Sequence, residues 1–160
     1  MIKLVAILLV FLACTRTTPS RDVISNEDRA AIAAEIERFN DEARRAWAQR
    51  DASIMIPDTT QEGAAAMRAD IQRRMDMTTR VDTMIEDLDT LHVIGPDSVL
   101  AYSKQRFVRV MRLSDGEEKQ RISTVTHVRT FARRPSGWEP VGPLLARDQR
   151  AWWAGETPAP

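Results

Sequence analysis

The groups best equipped for chemistry fall in the second half of the chain. Asp82, Glu86, Asp87 and Asp89 crowd one stretch, and the only tyrosine, Tyr102, and the histidine His127 follow on later segments. A carboxylate or imidazole facing a hydroxyl donor is the equipment for moving a proton at carbon, one group to take the proton and one to steady the oxyanion. Asp87, Tyr102 and His127 are the catalytic candidates on that ground. Each also has a plainer role, the tyrosine as a half-buried strand residue with a satisfied hydroxyl and the histidine as a structural or surface strand residue. Metal chemistry has little to build on, because His92 and His127 lie far apart and no HExxH spacing occurs. Neither a glycine-rich phosphate loop nor a G-x-S-x-G elbow is present, so no metal and no cofactor is expected.

These residues need elements to position them, and the pattern supplies four strands. "TTRVDTMIEDLDTLHVI", "SVLAYSKQRFVRVMRL", "EKQRISTVTHVRTFARR" and "GWEPVGPLLA" are rich in β-branched and aromatic residues. Turn chemistry separates them at Gly95-Pro96-Asp97, Ser114-Asp115-Gly116 and Pro135-Ser136-Gly137, which predicts an antiparallel meander. Alternation puts Asp87 with Asp89, Tyr102 with Leu100, Val108 and Val110, and His127 with Val125 and Phe131. Ile122 and Val128 make the other face of the third strand apolar as well, so periodicity leaves its inward face open.

Two helices precede the strands. Ser25 can cap a helix whose first turn holds Glu27 and Asp28, and Ile32, Ile36, Phe39, Ala43 and Trp47 form its apolar stripe as far as about Arg50. Glu35, Arg38, Asp41, Glu42, Arg45 and Gln49 form the wet face. Pro57 and "DTTQEG" interrupt the pattern before a second helix, where Met67, Ile71 and Met75 recur at four-residue steps and read as core. Helices followed by a meander make an α+β domain, with the helices covering one face of the sheet.

The amino terminus carries an address. Lys3 precedes ten apolar residues, Leu4 to Ala13, and the run stops at Cys14, the only cysteine among 160 residues. A spanning helix needs roughly 20 apolar residues, whereas a short basic start, an apolar run and a small residue describe a secretory signal. The word "VFLAC" resembles the bacterial lipoprotein signal, which implies cleavage after Ala13 and acylation of Cys14. An ordinary secretory signal with an incidental cysteine is the alternative. The resulting division is a signal peptide over 1–13, a lipidated tether over 14–25, a domain over 26–150 and a tail over 151–160. Thr15 after the cysteine resembles an outer-membrane sorting signal, so the expected location is the cell membrane or outer membrane with the domain facing the periplasm. Without Lys3 the formal charge is −1, which gives nucleic acid no electrostatic footing. Arg44-Arg45 and Arg133-Arg134 read as solvated faces.

The order of elements, together with "RAWAQRD" closing the first helix and "THVRTFARRPSGWEPV" around the last turn, resembles the SnoaL-like and ketosteroid-isomerase-like branch of the nuclear transport factor 2-like superfamily. The resemblance runs over about residues 26–148. It implies a cone, with a curved four-stranded antiparallel sheet wrapped around the first helix, a pocket between them, and dimerisation through the outer sheet face. Isomerases, hydro-lyases and plain binding domains share this cone, so function has to come from the pocket. Trp47, Trp152 and Trp153 are the candidates for pocket or partner contact, the latter two following the last strand in "RAWWAG". The expected function is a lipid-anchored module that binds a small apolar ligand or an envelope protein. The alternatives are an isomerase or hydro-lyase using an aspartate or histidine with Tyr102, and a structural accessory subunit of an envelope complex.

Overall fold

The computed structural model describes residues 24–57, 60 and 62–158, so the signal, the tether start and Cys14 lie outside the described residues. Helix α1 spans Asn26–Gln49, with Ser25 as its cap: the Ser25 Oγ accepts the Asp28 amide at 3.0 Å. It ends where Arg50 turns left-handed at φ 54°. A single 3-10 turn, Ala52–Ile54, is capped by the Asp51 carboxylate accepting from the Ser53 amide at 2.9 Å. Helix α2, Ala64–Asp76, is stapled to this corner by Gln72, whose Oε1 accepts from the Ala52 amide at 3.1 Å and whose Nε2 donates to the Arg50 carbonyl at 2.9 Å. No helix among the described residues is long and apolar enough to cross a membrane.

Strands β1 (Thr78–Gly95), β2 (Ser98–Arg112), β3 (Glu118–Arg134) and β4 (Gly137–Trp153) form one antiparallel sheet in the order β1-β2-β3-β4. The domain is therefore α+β, with two helices on a four-stranded antiparallel meander, as the pattern of the sequence predicts. Helix α1 packs on the inner face of the sheet and meets both edge strands, β1 and β4. Ile32 and Ile36 join Val99, Ala101, Phe131 and Trp138 in one apolar cluster, and Ala43 joins Met84 and Phe107 in a second. A third holds α2 by Met75 against Ala46 and Ala52. Burying the larger of these side chains, such as Ile32, Phe131 and Met75, contributes about 1.5–3 kcal/mol each.

Three expectations change. Met75 is buried, but Met67, expected in the same core stripe, is 59 % exposed, because only the carboxyl-terminal half of α2 packs against the apolar core. Asn40 rather than Phe39 is the buried residue at the middle of α1, and Phe39 lies under the guanidinium groups of Arg38 and Arg129 instead. Strand β4 runs on through Trp152 and Trp153, which pair with Ile122 and Arg121, so both tryptophans belong to the sheet and do not follow it.

Register shifts decide which side chains face the helices. On β1 the ladder skips Asp82 and Asp89, so inward parity resets on either side of each. Such a bulge leaves one residue unpaired and re-aims its neighbours. On β4 the shift between the partners of Val128 and Thr130 contains Gly142, at φ 78°, a conformation that a side chain would strain. Pro143 follows it, tolerated because β4 is an edge strand.

Candidate functional site

A polar layer crosses the domain between the first two apolar clusters. Glu86 lies on β1 between Met84, in the cluster around Phe107, and Leu88, which packs on the cluster around Phe131. Its side chain is 8 % exposed. The Ser103 hydroxyl donates to Glu86 Oε1 at 2.5 Å, His127 Nδ1 lies 2.9 Å from the same oxygen, and Gln105 Nε2 is 3.4 Å from Oε2. Burial pushes the Glu86 carboxyl up, but hydrogen bonds from His127 and Ser103, with the charges of His127 and Arg129, outweigh it and hold the group below its ordinary value. An ionised Glu86 can only accept, so Nδ1 carries the shared proton and Nε2 is the nitrogen left for a ligand. On α1 the same level is polar too: Asn40 is buried, and its Oδ1 has no hydrogen-bond partner among the described residues.

Below this layer, between the end of α1, α2 and the inner face of the sheet, opens a cavity of about 410 Å³. That is a size that holds small organic ligands. Trp47, Phe107, Met84 and Ile71 supply its apolar wall, and His127, Gln105 and Ser123 supply polar groups. Trp47 meets Phe107 edge to face at 4.8 Å between ring centres, which braces the wall. Arg74, Arg109 and Arg121 also line it, and among the described residues no aspartate or glutamate does. A second hollow of similar volume lies along β1 and shares Trp47 and Met84 with the first. Its cations are already engaged, Arg44 with Glu37 and Asp41, Arg80 with Asp82, and Arg50 with the carbonyls of Met75 and Thr79.

The candidates from the sequence are split between the faces. His127 lines the cavity, and so does Trp47. Tyr102 pairs with Thr90 and Val128 and points to the outer face, where its ring meets His92 at 5.2 Å. The structure therefore does not bring Tyr102 and His127 together. Asp87 is exposed and lies opposite Lys104, and Asp89 pairs with the same lysine at 3.1 Å. Trp153 stands on the inner face beneath Arg121, and Trp152 is on the outer face in register with Ile122 and Val108. Glu86, one of four carboxylates in its stretch, proves to be the buried one, and Ser103, Arg109 and Arg121 were not legible as site residues. The available clue was parity: Arg109 shares a face with Phe107, where an unpaired charge is out of place.

Among the described residues no cluster of three or more histidine, cysteine or carboxylate side chains could hold a metal ion. Compared with protein-family models, curated proteins and solved structures, the chain finds no significant match in any of the three.

Proposed function

We propose that the chain is an exported lipoprotein, anchored through acylated Cys14 at the cell membrane or outer membrane, whose periplasmic domain binds a small ligand. The cone of the nuclear transport factor 2-like superfamily is the fold proposed for that domain. Its support is the order of two helices before a four-stranded meander, with α1 against both edge strands. The single observation that carries the binding reading is the cavity of about 410 Å³ on the helix-facing side, walled by Trp47 and Phe107 and not filled by the protein's own side chains.

Two experiments test it. Intact mass of the membrane-extracted protein is expected to show cleavage before Cys14 and a lipid adduct, and Cys14→Ser should move the protein to the soluble fraction. A Cys14→Ser variant that stays in the membrane rejects the anchor. For the cavity, Ala146→Trp adds bulk from an exposed position on β4 that lines it, leaving the buried clusters untouched. Native mass spectrometry should find a co-purifying small molecule, or a stabilising hit from a ligand screen, on the wild type and not on Ala146→Trp.

A second reading has its own observation. His127, oriented by a buried and ionised Glu86, faces the cavity with Nε2 free, which is the arrangement of a general base and its positioning carboxylate. In this enzyme reading Tyr102 drops out, since it lies across the sheet. Loss of turnover in His127→Gln with ligand affinity kept would favour it over binding alone.

A further inference from the structure

We propose that the cavity selects a carboxylate with an apolar body, the carboxylate seated on Arg109 and Arg121 and the body lying on Trp47 and Phe107. The inference deepens the small-ligand reading and rests on it. Arg109 on β2 and Arg121 on β3 are direct register partners and face the cavity together. Like charges directly opposite on neighbouring strands repel, and Arg74 brings a third cation to the same wall.

Arg74 has a carboxylate of its own, Asp70, at 2.7 Å. Arg109 and Arg121 pair with no carboxylate among the described residues; the charges that act on Arg109 are those of Arg74 and Arg121, both positive. Burial first, and these two cations next, pull the Arg109 guanidinium down to about 10. A largely buried cation without a counter-ion is costly, and an anion entering the cavity would remove that cost.

The two guanidinium groups are also held ready. Arg109 lies over Trp47 at 5.4 Å and Phe107 at 5.2 Å, and Arg121 lies over Trp153 at 4.7 Å. Stacking on ring faces fixes the planes and leaves N–H edges for hydrogen bonding. Paired planar forks suit a carboxylate, which accepts two parallel bonds. The apolar wall beside them favours an alkyl or aromatic body over a free inorganic ion.

Calorimetric titration of the full-length protein in a neutral maltoside detergent tests the assignment. The probes are carboxylates from benzoate to 2-naphthoate and from hexanoate to decanoate, each against its neutral amide, with 2-naphthyl phosphate as the rival anion. At least one carboxylate should bind tenfold or more tightly than its amide, and Arg109→Met and Arg121→Met should each weaken it about 10- to 100-fold. The Arg109→Met variant should melt at or above the wild-type temperature, because removing an unneutralised cation relieves repulsion, so loss of binding will not reflect loss of fold. Amides that bind as well as carboxylates, or phosphate preferred tenfold over carboxylate, would overturn the inference while leaving the cavity reading in place. Failure of both carboxylates and amides, with no difference between wild type and Ala146→Trp, would overturn both.

Discussion

The domain places an arginine over a tryptophan at both ends of its inner face, and treats the two ends differently. At one end Arg133 lies over Trp138 at 4.7 Å, and both are joined to α1: Arg133 Nη2 and Trp138 Nε1 donate to Asp28 Oδ1 at 2.5 and 3.0 Å. At the other end Arg121 lies over Trp153 at the same 4.7 Å, with Arg109 beside it and, among the described residues, no acid to meet either. The first arrangement is closed, its charge neutralised by a carboxylate from the first turn of the helix. The second is the same device left open toward a cavity. Stacking alone therefore does not reveal the purpose of an arginine; the presence or absence of its counter-ion does.

If the closed end carries the stability, truncation there should dominate. Phe131 is fully buried and Trp138 nearly so, both in the cluster that holds α1. Phe131→Ala or Trp138→Ala is expected to cost about 3–5 kcal/mol in urea unfolding. Trp153→Ala, at the open end and only partly buried, should cost less than half as much. Equal losses at the two ends would erase the distinction between them.

The polar layer between the ends comes next in size. Glu86→Leu leaves Ser103 and His127 without their shared acceptor and should cost about 1–3 kcal/mol. Because Glu86 is held below its ordinary value in the folded state, its contribution is present above the usual carboxylate range and fades as the solution is acidified. The stability gap between wild type and Glu86→Leu should therefore narrow at low pH.

Asp28 gives a sharper acid signature at the closed end. The Trp138 indole first, then Arg133 and Ser25, lower its carboxyl from 3.8 to about 2 despite some burial. A depressed carboxylate stabilises the fold fully above its unfolded value, and that stability is lost as pH falls from about 4 through about 2. With solvent screening allowed for, Asp28→Asn should cost about 1–2 kcal/mol at pH 7 and almost nothing at pH 2. A difference that persists unchanged to pH 2 would mean that the Asp28 charge is not what joins helix and sheet.

Much of this architecture could be read from residue order. Ser25 and the stripe from Ile32 onward marked α1, and the three turns marked four strands, because caps and turn residues act locally. What escaped was the facing of side chains. The unpaired residues at Asp82 and Asp89 reset the alternation of β1, and Ile122 and Val128 on β3 are as apolar as Val125 and Phe131. The pairing of Tyr102 with His127 as chemical partners thus fails, because alternation alone does not place them on one face and Tyr102 lies across the sheet. Arg133 read as solvated because its partner, Asp28, is 105 residues away. Arg109 and Arg121 become informative only once register sets them side by side.

The smallest stability change should be the most telling, and it comes from closing the open end. Ala151 lines the cavity on β4 opposite Ser123, two residues from Trp153 on the same face, so a longer side chain there can reach Arg121 diagonally. Ala151→Glu removes no hydrogen-bonding side chain and supplies the carboxylate that Asp28 supplies at the other end. A cross-strand opposite-charge pair should raise stability by about 0.2–1 kcal/mol, measured as a modest increase in Tm. The same change should abolish carboxylate binding, since the protein would then hold its own anion, while affinity for a neutral amide stays within a few-fold. A variant that gains no stability and still binds carboxylates would show that the arginines do not act on one shared point. The open end would then be two separate stacking pairs, and the likeness to the closed end would be one of geometry only.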